Sequence, residues 1–257
     1  MIAPWFDSGP DGFRPRPDAR GPWSPDMLHG RFLGGLAARV IEADVVEAGW
    51  RAARLTVDLF RPAAMAPVQV TVRPVRHGRR IRVVDAHLTC DGHEVARVTA
   101  VVLATGEEPP GRIWRPDAES WPDPDTVPPA ADGPDGPWLI RTVAGGFGTG
   151  ERSRLWTNDT ALLVDDEPVS PLVRAALTGD LACPLANSGD EGLHYINADY
   201  TLALARYPRG PWIGVEVSQQ LAADGLSLGS ATLVDADGPF ATSTGVSLAT
   251  APLDPES

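Results

Sequence analysis

Leu28, Phe32, Leu36, Val40 and Ile41 recur at three- and four-residue spacing, with alanine and glycine among them. That period predicts a helix over 28–43 with one strongly apolar face and small residues elsewhere, so the helix is expected to be largely buried. His29-Gly30 stands at its N-terminal end. Beyond it the period drops to two. The segments 51–62 (RAARLTVDLFRP) and 67–80 (PVQVTVRPVRHGRR) alternate apolar and polar residues, and 81–104 reads as two strands joined at Asp91-Gly92. An Asp-Gly pair favours the tight turn of a hairpin. The predicted content of 28–104 is therefore one helix followed by four antiparallel strands.

The same grammar returns later in the chain. Residues 138–157 read as two strands about a glycine-rich turn, and 170–181 as a short helix with Ser170 as N-cap and Pro171 in its first turn. Strands follow at 196–208 and 211–225, and 226–249 again holds two strands about an Asp-Gly pair, Asp237-Gly238. Arg61-Pro62 matches Arg206-Tyr207-Pro208, Gly78 matches Gly225, and Asp91-Gly92 matches Asp237-Gly238, all at an offset of about 145. A repeat of that length implies two similar α+β units fused in tandem. The first unit is expected over 1–105, opening with an irregular arm (1–26) rich in proline, glycine and aspartate. A linker over 106–137 is too rich in proline for a helix or an inner strand and is expected to lie over the surface, anchored by Trp114 and Trp121. The second unit is expected over 138–257.

Composition narrows the function. With 257 residues, 43% of them apolar, the chain can bury a substantial core. Its formal net charge of −12 is the opposite of a nucleic-acid footprint, and the one dense basic run, Arg76-His77-Gly78-Arg79-Arg80, reads as a solvated hairpin turn. Two cysteines, Cys90 and Cys183, make neither a disulfide framework nor a zinc motif and read as small buried hydrophobes. No apolar stretch approaches the roughly 18 residues of a membrane span, and the first residues lack the pattern of a signal peptide, so a cytoplasmic protein is expected. Abundant Arg, Ala, Pro and Gly with no Lys suggest a GC-rich bacterial gene. The run GGFGTGE (145–151) imitates a phosphate cradle but precedes a strand, so it reads as a hairpin turn. No cofactor and no metal are expected.

A central helix wrapped by an antiparallel sheet, duplicated across a linker, is the layout of a double hotdog protein. GPWSPDMLHGRFLGGLAARVIE (21–42) resembles the opening of acyl-CoA thioesterase-like double hotdog proteins (type II acyl-CoA thioesterase relatives), in which an HGG element leads into the central helix. VDLFRPA (57–63) resembles that family's strand ending in Arg-Pro, and SPLVRAAL, INADYTLALARYP and LGSATLVDADG (228–238) resemble its C-terminal half. The likeness runs from about residue 20 to about 250 and is distributed along the chain. It implies an α+β double hotdog fold and hydrolysis of acyl-CoA or carrier-bound acyl thioesters without a covalent intermediate, an activity belonging to lipid metabolism. It also implies an acyl-CoA or acyl-carrier thioester as partner, and copies that pair into a homo-oligomer. In that family an Asp, a Thr or Ser, and a Gln hold and activate a water. The resemblance carries the Asp to Asp199, the hydroxyl to Ser218, and the Gln to Val246, which departs from the pattern.

Thioester hydrolysis needs a carboxylate that accepts a proton from water, donors for the oxygen that gains charge, and an apolar slot for the acyl chain. Asp199 is the expected base and Ser218 its partner, with backbone N–H groups near His29-Gly30 or Ser170 as the donors. His29, Gly30, Gln219, Gln220 and Val246 are expected to meet the substrate, either glutamine restoring the amide that Val246 lacks, and His194 stands near Asp199 in sequence. Arg54 holds the position of Asp199 in the first copy, so a single equipped site is expected. Two rival readings remain. The absent glutamine favours a non-hydrolytic acyl-binding or biosynthetic accessory protein. A hotdog hydratase places its Asp and His five apart, whereas Asp26 and His29 are three apart.

Overall fold

A computed structural model describes residues 2–114, 120–129, 136–165 and 167–250. The elements run β1 (Phe6–Gly9), β2 (Gly12–Pro15), α1 (Arg31–Val45), β3 (Trp50–Leu59), β4 (Val68–His77), β5 (Ile81–Cys90), β6 (His93–Ala104), β7 (Trp138–Ala144), β8 (Arg154–Asp159), α2 (Pro171–Gly179), α3 (Ala182–Ala186), β9 (Ser188–Gly189), β10 (Gly192–Leu193), β11 (Tyr195–Asn197), β12 (Asp199–Leu204), β13 (Ile213–Ala223), β14 (Leu226–Asp235) and β15 (Gly238–Ala249). Ser170 caps α2 as expected, its hydroxyl accepting from the Val173 N–H at 3.2 Å. The turn between β5 and β6 carries Asp91 and Gly92 at φ 50° and 74°, the left-handed pair that a two-residue hairpin needs.

One sheet holds both copies, in the order β1-β2-β4-β5-β6-β3-β12-β15-β14-β13-β8-β7. The order is symmetric about the β3–β12 junction. Strands β13, β14 and β15 each begin 145 residues after β4, β5 and β6. At the junction Thr56 pairs with Thr201, also 145 residues on, and their hydroxyls lie 3.1 Å apart. The two units are thus related by a local two-fold axis through these threonines, and the layout is the double hotdog that the resemblance implies.

The same symmetry corrects the reading of the N-terminal arm. Residues 6–15 form the hairpin β1–β2, which joins the outer edge of β4 through Phe13 and Val68, as β7–β8 joins β13. The hairpin is four residues a side and rich in Gly and Pro, so its alternation is too short to read from sequence. The linker expectation also splits. Trp121 packs edge-on to Trp156 at 4.8 Å and so anchors the segment, whereas Trp114 stands 84% exposed. Parts of that linker, 115–119 and 130–135, lie outside the described residues. Both cysteines are free and buried. Among the described residues no helix is long and apolar enough to cross a membrane.

Helices α1 and α2 cross inside the sheet at glycine. A Cβ on Gly34 would stand 1.8 Å from the Tyr200 hydroxyl, and one on Gly35 would stand 2.5 Å from Leu177. Tyr200, fully buried, reaches from β12 between the helices and donates to the Ala176 carbonyl at 2.9 Å. Gly34→Ala is expected to displace that ring and cost about 1–3 kcal/mol. A fall of roughly 2–4 °C in Tm per kcal/mol would report it, and an unchanged Tm would show that the crossing is loose.

Candidate active site

A cavity of about 710 Å³ lies at the seam of the two units, inside the roughly 300–1,000 Å³ common for small-molecule sites. Its walls are mostly apolar: Leu33 from α1, Leu59 from β3, Trp138 and Ile140 from β7, and Leu181 after α2. Three polar side chains converge on it from three separate elements. His29 precedes α1, Asp180 is the C-cap of α2, and Asn197 ends β11.

Asn197 Nδ2 donates to Asp180 Oδ1 at 2.7 Å, and His29 Nδ1 lies 3.9 Å from Asp180 Oδ2. The Asp180 side chain is only 4% exposed. Burial pushes its carboxyl up to about 6, against the Asn197 bond and the Arg31 charge, which both favour the anion. A carboxylate at a helix C-terminus also faces the negative end of the helix dipole. His29 shifts the other way. Burial, then the Arg31 charge, hold its imidazole down to about 3. The Arg31 backbone N–H donates to His29 Nδ1 at 3.3 Å, which leaves the proton on Nε2. The ring is held edge-on by Phe32 and Trp138, with centroids 6.1 and 6.0 Å away. At neutral pH the cavity therefore presents one carboxylate and one neutral imidazole N–H beside the first turn of α1. That set can accept a proton from water and donate to an oxygen that gains charge.

Two family models match the chain, the acyl-CoA thioesterase N-terminal domain over residues 19–103 and the acyl-CoA thioesterase C-terminal domain over residues 109–249. The chain belongs to the acyl-CoA thioesterase family. No curated protein matches it by sequence. Among solved structures it is similar to a conserved hot dog protein of unknown function from Alicyclobacillus acidocaldarius, with TM-score 0.74, 18% identity, and 93% of this chain and 92% of that one covered. It is also similar to the tesB protein of Mycobacterium avium subspecies paratuberculosis, with TM-score 0.69, 17% identity and coverage of 90% and 91%. The acyl-CoA thioesterase II TesB2 of Mycobacterium marinum gives TM-score 0.66, 18% identity and coverage of 87% and 89%. At these identities the likeness is one of fold.

In this thioesterase-family chain the residues expected from sequence fall in three places. His29 and Gly30 line the large cavity. Ser218, Gln219 and Gln220 line a second cavity of about 440 Å³, with Asn187, Glu151 and Arg152; Ser218 sits at the bulge where β13 slips against β14. The Gln220 amide is used locally, its Nε2 donating to Asn187 Oδ1 at 3.3 Å. Asp199 and Val246 are together on the outer face of the sheet, where the Val246 N–H donates to Asp199 Oδ1 at 2.7 Å. Val246 is 46% exposed and lines neither cavity. The structure thus separates Asp199 from Ser218, and a glutamine at 246 would point away from the seam. Ser170 is occupied as a helix cap, and His194 Nε2 lies 3.0 Å from the Glu191 carbonyl oxygen, outside both cavities.

A register slip explains the divergence between Asn197 and Asp199. Asn197 pairs with Ser247 of β15, while Thr201 pairs with Thr244. One residue, Ala198, is therefore extra on this edge, and an extra residue reverses which face the following side chains take. Asn197 turns inward to Asp180, and Asp199 turns outward. The sequence offered one overlooked signal: an aspartate ending an apolar helix, in LTGDL, stands where the helix dipole disfavours it. In the first unit Ala52 holds the position of Asn197, and Val40 that of Asp180 counted from the start of its helix. The first unit therefore carries neither an amide nor a carboxylate at those two positions.

Proposed function

We propose that this chain hydrolyses acyl-CoA thioesters at the seam cavity, with Asp180 as the base that activates water. The observation that carries the reading is a buried carboxylate, raised to about 6, facing an apolar cavity beside a neutral histidine. The acyl chain occupies the apolar wall formed by Leu33, Leu59 and Ile140. Asn197 fixes one oxygen of Asp180 and leaves the other toward the histidine. The water oxygen attacks the thioester carbonyl carbon while its proton passes to Asp180. The His29 Nε2–H and the first turn of α1 stabilise the oxygen that becomes negative. The C–S bond then breaks, and the proton on Asp180 passes to the departing thiolate, so free acid and thiol leave and the carboxylate is restored.

Thiol release from short, medium, long and aryl acyl-CoAs tests the reading, with Asp180→Asn and Asp199→Asn beside the wild type. Turnover lost with Asp180→Asn and kept with Asp199→Asn is the expected result. The reverse pattern would return the base to Asp199, and no turnover by any form would move the chain to acyl binding without hydrolysis. Because the base must be ionised, kcat/KM is expected to rise tenfold per pH unit below about 6 and level off above it. A flat profile between pH 5 and 7 would exclude Asp180 as the base.

A further inference from the structure

The two-fold relation between the units pairs Arg61 with Arg206, each at the end of the matching segment. Their fates differ. Arg206 is locked: its guanidinium reaches both oxygens of Asp235, at 2.5 and 2.7 Å, and the Gly238 carbonyl at 2.9 Å. In the first unit the strand matching β14 ends at Cys90, where β14 ends at Asp235. The Cys90 thiol instead faces the Ala64 and Ala66 carbonyls. Arg61 has thereby lost its acidic partner, and among the described residues it makes no hydrogen bond and no ion pair. It is exposed, and it lines the mouth of the seam cavity together with Phe60, Pro62, Pro22 and Trp23.

An unpaired guanidinium at the mouth of an apolar cavity, on a chain of net charge −12, is a local exception to a field that repels anions. Trp23 stands beside it, as does the 47% exposed Phe60, whose ring lies 5.8 Å from the Asp58-paired Arg97 guanidinium. Guanidinium binds phosphate through paired, charge-assisted hydrogen bonds. We infer that Arg61 binds a phosphate on the thiol arm of the substrate and so sets which end of the thioester faces solvent. The inference rests on the thioester reading of the seam cavity. The phosphate comes from CoA itself or from the phosphopantetheine of a carrier protein, and the two are separable by experiment.

Calorimetric binding of CoA, 3′-dephospho-CoA, 4′-phosphopantetheine and pantetheine tests the inference without any turnover. The forms compared are the wild type, Arg61→Ala, Arg61→Lys and, as a distant exposed control on β4, Arg73→Ala. Arg61→Ala is expected to weaken CoA by about 10- to 100-fold, with Arg61→Lys intermediate, Arg73→Ala unchanged, and the penalty shrinking as salt rises. The penalty is expected to vanish on pantetheine. A penalty on CoA alone assigns the 3′-phosphate and hence CoA, whereas one that persists on 4′-phosphopantetheine assigns the phosphate that CoA and carriers share. Equal binding of CoA by wild type and Arg61→Ala, an equal penalty on pantetheine, or no binding of CoA at all would overturn it. Failure of hydrolysis with CoA binding intact and Arg61-dependent would instead count against the proposed reaction alone.

Discussion

Asp180→Asn is expected to abolish thiol release, by about 10²–10⁴-fold in kcat, and at the same time to make the protein more stable at pH 7. Both effects have one cause. The carboxyl is buried at a helix C-terminus and titrates near 6 where the unfolded chain titrates near 3.8. Between those values the folded state binds the extra proton, so stability falls as pH rises through the interval. Above about 6 the ionised group costs about 3 kcal/mol relative to an ordinary aspartate. Asparagine keeps an oxygen for the Asn197 amide and carries no charge, so it removes most of that cost. Denaturant unfolding at pH 7 is the check: a gain of about 2–3 kcal/mol for Asp180→Asn, shrinking toward zero by pH 4, is expected. A variant that is less stable than the wild type at pH 7 would mean that the carboxylate is better satisfied than its burial indicates.

The second large effect lies beside the site. Arg31 opens α1 with its side chain 1% exposed, and its guanidinium pairs with Asp159 at the end of β8. It also lies over the rings of Trp138, Phe32 and Trp5, 4.1, 5.1 and 5.8 Å from their centroids. Its Nε and Nη1 find no hydrogen-bond partner among the described residues, so the charge rests on the paired Asp159, the ring faces and the more distant Asp180 carboxylate. Burial pushes the Asp159 carboxyl upward, opposed by that same guanidinium. Asp159→Asn leaves the buried cation without its directly paired carboxylate, and a loss of about 3–5 kcal/mol is expected. Replacing both partners, Arg31→Met with Asp159→Leu, is expected to recover most of it, because the desolvation of both charges disappears together. Thermal unfolding of the three forms checks this; a single change costing under about 1 kcal/mol would show the pair to be solvated. The pair also joins the first turn of α1 to the β7–β8 hairpin, and Trp138 is both a face of this cage and a wall of the cavity. The Asp159→Asn variant that remains folded is therefore expected to show a raised KM for acyl chains as well.

The largest features of this chain were legible as sequence because they are local or periodic. Alternation from Ile81 to Cys90 and from Leu226 to Asp235, the Asp91-Gly92 turn, the Ser170 cap and the 145-residue repeat each depend on residues near one another in the chain. Those signals led to two helix-and-sheet units and to the family that the domain models match. The short hairpin β1–β2 escaped because four residues a side give no period to read.

The site was legible only in part, and for a physical reason. His29 was marked by its place at the helix start, but Asp180 and Asn197 come from a helix end and a strand end far along the chain, and only the packing of α1, α2 and β11 around one cavity brings the three together. Asp199 has the more conspicuous sequence context, yet a single extra residue at Ala198 turns it to the outer face and turns Asn197 inward. A one-residue slip leaves composition and periodicity almost unchanged while it reverses every side chain beyond it. The amino-acid pattern by itself determined that a pair of hotdog units would form and enclose an apolar seam. Which carboxylate faces that seam was decided by tertiary register, because the energy of pairing β12 with both β3 and β15 outweighs the local alternation that would otherwise have kept Asn197 and Asp199 on one face.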